Sequence, residues 1–507
     1  MSLRFGFLLV IALPGYISAN AQELGTGGIR FPTAIGFTVG QVGWMDGSSL
    51  GDTGGPWRAG IRRRFDVRDY TPLVEIGQSL GVRFMSLFIL GELDRLNAPA
   101  RYPTSTPAGT HFDNSRYVGP DQIEIMNYVK ASAAYIEFGI TGVMHEYWED
   151  GVRTRAEWYD AENKKPRDER IVRNQIELMK EIMAQYDITP DMGHSFPESF
   201  IAYAFYWNPE GTYSLGKVLG EHGVKYANTH FTTIEHLNPP PRRSGGFDHG
   251  VLVLDRVNHG NPWYEFASLP PVMPGEIETV VVETHWANWL AQDDFLQPEL
   301  NRRWIEYIKK IQDHPDYYLA KNTEQLYAQW LYKKYVTVEE KSRGTVTIDA
   351  RNLPDEMFDY DLSSNMVLAI QRKDGSHIEY AKLDGLPVAA YYEDGEYTYM
   401  YLPPLEKKMY TFEYKMGLPM KEKYVLNTGT YNVYSVSETG NRFEIDIKMY
   451  GHQKLEIRSP KPYGISTDNQ HLRIEKNSYD ASRGIINLTV SGRNIQGERG
   501  TIIIEYQ

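Results

Sequence analysis

Cysteine is absent from the 507 residues. That removes in one step a disulfide framework, thiolate metal ligands, a cysteine nucleophile and a lipid-modified cysteine at a processing site. An excess of positive charge is lacking too. The balance of 53 Lys+Arg against 66 Asp+Glu gives a net charge of −13, which repels polyphosphate over a Debye length, so nucleic acid is not an expected partner. Beyond the amino terminus no stretch reaches the ~18 uninterrupted apolar residues that a membrane helix requires, and no membrane span is expected. Three glycine-based motifs are missing as well: a phosphate-binding loop ending in Gly-Lys-Ser/Thr, a dinucleotide fingerprint after the first strand, and a Gly-x-Ser-x-Gly elbow. Nucleotide and serine-hydrolase chemistry lose their usual markers with them.

What is present begins with a basic start ending at Arg4, an apolar run from Phe5 to Ile17 and a small-residue exit at Ala19-Asn20-Ala21. This is the layout of a cleaved secretory signal over 1–21, so a secreted or periplasmic protein starting at Gln22 is expected. The remaining chain is long enough for two or three domains. Its 41% hydrophobic and 13% aromatic content suits large packed cores.

Between Gly28 and Tyr335 strand-like and helix-like segments alternate. Ala34–Val42, Val82–Leu90, Glu137–Val143, Pro190–Met192, Val224–Asn228, Val251–Leu254 and Thr279–Glu283 read as strands. Such alternation predicts an α/β fold, a (β/α)7-8 barrel over 22–335. Past Val336 period-two alternation and Asp-Gly turns take over, predicting C-terminal antiparallel β-sandwich domains over 336–417 and 418–507. No internal repeat stands out.

Ten of the thirteen histidines lie between His111 and His314, which points to the barrel as the active half. Several polar residues follow the carboxyl ends of the expected strands, where such barrels place their active-site loops: Asp46, His145, His194, His230 and His285. His145 and Glu149 are four apart, so on a helical turn both project from one face and can grip one ion. With Asp46 they form a candidate site for a divalent metal ion, zinc above all, that activates water. The alternative is an exposed pair on a surface helix. Trp44, Trp148 and Trp286 each stand within three residues of a candidate ligand. With His230 they are the expected substrate-binding set for a polysaccharide or oligosaccharide, since flat rings suit the apolar faces of sugars.

The order of these pieces resembles the polysaccharide deacetylase superfamily of glycoside hydrolase/deacetylase barrels over residues 30 to 335. The motifs are Asp46-Gly47 after the first strand, the His145 turn near the third, a proline-containing loop at Gly193-His194-Ser195-Phe196-Pro197-Glu198, and a late histidine in Val280-Val281-Val282-Glu283-Thr284-His285. The resemblance implies that Asp46 and His145 bind metal, that Glu149 stands in for a second metal histidine, and that His285 is the general acid. Met45 occupies the position of the family's base, and His194 or Glu198 is the candidate to replace it. Two alternatives stay open. One is a glycoside hydrolase working with two carboxylates drawn from Asp46, Glu149, Glu198 and Glu283. The other is a barrel that binds glycans without catalysis.

Overall fold

The computed structural model describes residues 28–43, 65–115, 118–154, 156–160, 162–163, 165–201, 206–207, 213–230, 245–263, 265–273, 279–314, 316–372 and 375–507. Seven strands form a closed, all-parallel barrel: β1 (Thr33–Val42), β2 (Phe84–Phe88), β3 (Ile136–Ile140), β4 (Ser199–Ile201), β5 (Tyr226–Thr229), β6 (Val251–Asn258) and β7 (Val281–His285). Closure comes from β7 pairing with β1, Val281 opposite Gly36. Parallel strands covered on both faces need apolar residues at nearly every position, and β2 is buried throughout.

The expectation of a helix-rich (β/α)7-8 barrel is overturned. Seven α-helices are found among the described residues, and antiparallel sheets make up much of the chain. Helices α1 (Thr71–Leu80), α2 (Pro120–Ala131), α3 (Glu169–Ala184) and α4 (Leu215–Gly220) follow the first four strands. Between β5 and β6 the described residues instead form a strand, Gly246–Asp248, hairpinned antiparallel onto β6. Between β6 and β7 no helix occurs among the described residues. Both connections are rich in proline, with Pro239-Pro240-Pro241 in one and Pro262, Pro270 and Pro271 in the other. Proline lacks the N–H that helix propagation uses.

The expected strand at Pro190–Met192 is also corrected. It is a single 3-10 turn started by Pro190, with the Thr189 hydroxyl accepting from the Met192 N–H and Gly193 leaving it at φ 82°. The strand lies further on, at Ser199–Ile201.

After β7 come α5 (Gln297–Gln312), a short strand β8 (Tyr317–Leu319) that pairs with the start of β1, and α6 (Thr323–Tyr335). Helix α6 seals the amino end of the barrel. Leu326 packs so close to Gly36 that a Cβ there would come within 2.5 Å of it. The Tyr327 hydroxyl donates to the carbonyl of Ala227 at 2.7 Å.

Beyond α6 the chain is mostly antiparallel sheet, with one short helix at Glu356–Asp359 and one parallel pairing. A five-stranded sheet is built entirely from residues before 418 and a four-stranded one entirely from residues after it. One eight-stranded sheet runs across both, joined where Ala390–Asp394 pairs with Tyr424–Leu426. Its far edge takes in Ile29–Arg30 from the amino-terminal half. The sandwiches are thereby tied to the barrel's amino end. Lys448 reaches Glu324 of α6 at 3.0 Å and Glu198 at 3.1 Å, and Arg83 pairs with Glu137 at 2.8 Å beneath them.

Candidate functional site

The barrel interior carries charge toward its carboxyl end. Side chains alternate along a strand, and β7 turns Glu283 inward to meet His230, the residue after β5, and Arg256 of β6. Glu283 is 2% exposed, and its two oxygens are divided among three cations or potential cations. His230 Nε2 hydrogen-bonds Oε2, while Arg256 Nη2 lies 3.5 Å and His285 Nε2 3.3 Å from Oε1. Burial opposes ionisation of such a group, but Arg256 and the hydrogen-bonded His230 overcome it, holding the carboxyl well below the ordinary carboxylate range. Glu283 is therefore a fixed anion inside the barrel.

His285 ends β7. Burial pushes its imidazole down to about 4; the Glu283 carboxylate offsets this only in part, and Arg256, His230 and His145 add to the depression. The ring is thus neutral at physiological pH. A carboxylate only accepts hydrogen bonds, so the contact of Nε2 with Glu283 favours the tautomer that carries its proton on Nε2. That leaves a lone pair on Nδ1, which has no hydrogen-bond partner. The ring lies over Gly40 of β1, where a Cβ would meet its Cδ2 at 3.3 Å.

His145 contributes from the loop after β3. It takes a left-handed backbone conformation, φ 83°, and its Nδ1 lies 2.9 Å from Glu146 Oε1. The loop is clamped by Glu157, whose carboxyl accepts from the N–H groups of Val143 and Met144 at 3.0 to 3.3 Å. Burial raises the Glu157 carboxyl to about 8, against the smaller opposing effect of these backbone donors.

The residues expected at the site fall into separate places. His285, His230 and His145 are brought to the carboxyl end together. His194 and Glu198 are not: both precede β4, at the opposite end, because the strand starts later than the sequence suggests. His194 Nδ1 accepts from the Ile495 N–H at 3.2 Å, and Glu198 is paired with Lys448. Glu149 is not on a helical turn with His145. It is exposed at the end of a β-hairpin, Tyr147–Glu149 against Val152–Thr154, whose turn residues Asp150 and Gly151 both have positive φ. Asp-Gly at such a turn is the signature of a two-residue hairpin.

Trp148 is half-buried on that hairpin. Trp286 is core, packed 5.1 Å from Tyr70 and 6.2 Å from Phe65, and offers no platform. Asp46 and Trp44 lie outside the described residues. Glu149 is exposed on its hairpin, and among the described residues, which do not include Asp46, no group of three His, Asp or Glu that could hold an ion is found.

Arg256 and Asn288 are absent from the sequence-based candidates, and Trp263, one of the aromatics near the expected loops, is not in the expected substrate-binding set. Arg256 had a signal: a lone cation inside the apolar run Val251–Val257. Trp263, 38% exposed, stands edge-on to His285 with ring centres 6.5 Å apart. Asn288 ties the Trp263 loop to β7, accepting from the His285 backbone N–H at 2.8 Å and donating to the carbonyls of Pro262 and Glu265.

No protein-family model matches the chain, and no curated protein matches it. Among the described residues no helix is long and apolar enough to cross a membrane.

Proposed function

We propose that the chain is an exported hydrolase that removes an acyl group from a carbohydrate, with His285 as the proton-transferring group and Glu283 as the anion that orients it. The observation carrying this reading is the neutral His285 with its unpaired Nδ1, backed by a carboxylate locked in place by Arg256 and His230. A neutral imidazole begins as a base, which differs from the general-acid role implied by the resemblance. His285 Nδ1 takes a proton from water as the water oxygen bonds to the acyl carbon. The carbon–oxygen or carbon–nitrogen bond to the sugar then breaks, and the same proton passes to the departing oxygen or nitrogen. Products are a carboxylic acid and the free sugar hydroxyl or amine. No step is routed through a metal.

Deacylation is favoured over glycosidic cleavage by where the carboxylates stand. Glu283 is enclosed with both oxygens engaged, Glu198 is at the far end of the barrel, and Glu149 is on an exposed hairpin. None of these three pairs with another to flank one bond, as glycoside hydrolysis requires.

The test is product analysis on an O-acetylated xylo-oligosaccharide and an N-acetylated gluco-oligosaccharide, with and without a chelator. Expected is acetate without new reducing ends, lost in His285→Ala and retained in the chelator. New reducing ends would move the reading to glycosidic cleavage. Activity lost to the chelator and restored by zinc would reinstate a metal route through Asp46. Sugar bound with neither product would make the barrel a binding module.

A further inference from the structure

The loop after β6 carries a fixed, unsatisfied acceptor beside His285. Asn288 Oδ1 accepts from the backbone N–H of His285, and a backbone N–H can only donate, so that atom is an oxygen and an acceptor. The other end of the same amide donates to two backbone carbonyls, those of Pro262 and Glu265, which fixes its orientation a second time. Asn261 approaches Asn288 Oδ1 at 2.8 Å and must therefore present its Nδ2. Its Oδ1 is turned the other way. Asn261 is 1% exposed, and this Oδ1 has no hydrogen-bond partner.

A buried acceptor left unpaired carries a desolvation cost that protein interiors rarely tolerate, and when it persists beside a reactive group it calls for a donor from elsewhere. His285 Nδ1 is a second such acceptor. Two residues along the same loop, Trp263 offers a half-exposed ring edge-on to His285. An apolar face two residues from an unpaired acceptor matches a ligand that has one apolar face and a donor on its rim.

We infer that Asn261 and Trp263 form a sugar subsite: a pyranose ring lies on the Trp263 ring while a hydroxyl or amide N–H of the same sugar donates to Asn261 Oδ1. Asn288 holds both at a fixed distance from His285 as a positioning residue. This inference rests on the carbohydrate-hydrolase reading and names the part of the substrate that is held. The donor is shared chemistry, since both an O-acylated sugar and an N-acylated amino sugar can supply it.

Binding of the two oligosaccharides is measured by calorimetry on the full chain, separately from turnover. Trp263→Ala, at an exposed position, weakens both probes by about tenfold, and Trp263→Phe restores most of the loss. Asn261→Leu weakens them by about tenfold as well, with the melting temperature recorded beside it. A larger loss for the N-acetylated probe identifies the amide N–H as the donor, and an equal loss identifies a hydroxyl. His285→Gln still binds both probes but releases no acetate. Unchanged affinity in Trp263→Ala, or no binding of either probe to the parent, overturns the subsite. Full acetate release by His285→Gln overturns His285 as the base, and intact binding with no acetate from the parent overturns the hydrolase reading; both leave the subsite standing.

Discussion

Glu283 and His285, two residues apart on one strand, face the same side of the barrel wall and meet with His285 Nε2 3.3 Å from Glu283 Oε1. The two-residue period of a strand makes this pairing possible. The closed barrel makes it consequential, because it brings His230 and Arg256 from neighbouring strands onto the same carboxylate. Removing the imidazole by His285→Ala is expected to lower kcat on the order of 10²- to 10⁴-fold. The melting temperature should stay within a few degrees of the parent's, since the other two partners of Glu283, His230 and Arg256, remain in place. Calorimetric melting beside acetate release checks both halves of the statement.

The acid limb of the rate profile follows from the same group. His285 acts as a base only when neutral, and burial holds its imidazole down to about 4. Activity is therefore expected to rise as pH increases through about 4 and to stay level to neutrality. An ascending limb centred near the ordinary histidine value would mean that the ring is far more solvated than its enclosure requires. Initial rates across that range decide it.

Gly40 leaves room for the imidazole. A methyl group there would come within 3.3 Å of His285 Cδ2 and 3.7 Å of Nε2, close enough to turn the ring without meeting the barrel core. Gly40→Ala is expected to reduce kcat at least about tenfold while sugar affinity stays the same. A KM-against-kcat split on the parent and the variant measures it.

Glu157 should make stability fall with rising pH. Its folded-state value of about 8 lies above the unfolded one, so its contribution is complete below the unfolded value and is lost as pH rises through about 8. Denaturant unfolding between pH 5 and 9 should show that decline in the parent, and Glu157→Gln, which cannot ionise, should flatten it. A parallel decline in both proteins would assign the effect to other groups.

Lys448 separates stability from catalysis. It is buried between Glu324 and Glu198 at the amino end, so Lys448→Ala takes the ion-pair partner from the buried Glu324 and leaves only Lys225, 3.6 Å from Glu198, beside the two carboxylates; it is expected to cost about 3–5 kcal/mol. Turnover per folded molecule should be unchanged, because the reactive end is the opposite one. Loss of turnover in fully folded variant would show that the two ends communicate.

The histidine-bearing strand end was legible because Val280-Val281-Val282 announces a buried strand and His285 terminates it. His145 was legible for the same reason after β3. A spacing of four suggests a helical turn joining His145 to Glu149, but Asp150-Gly151 drives a hairpin that leaves Glu149 exposed. His194 and Glu198 were assigned to the wrong end because Pro190-Asp191-Met192 forms a capped turn, and the strand that follows begins at Ser199. The barrel is poorer in helices than its strand alternation implies: among the described residues no helix lies between β5 and β6 or between β6 and β7.

Local chemistry along the chain determined most of the parallel strands (all but the one at Ser199–Ile201), the point where period-two alternation begins, and that His145, His230 and His285 follow or end a strand, since these depend on periodicity and on neighbours a few residues away. Only the folded barrel decided that Arg256 and His230 would meet Glu283, that Trp286 would be core while Trp263 flanks the mouth, and that Asn261 would be left with an unpaired oxygen. Those outcomes depend on barrel closure and strand register, which place residues from different strands within a few ångströms and remove the water that would otherwise screen and satisfy them.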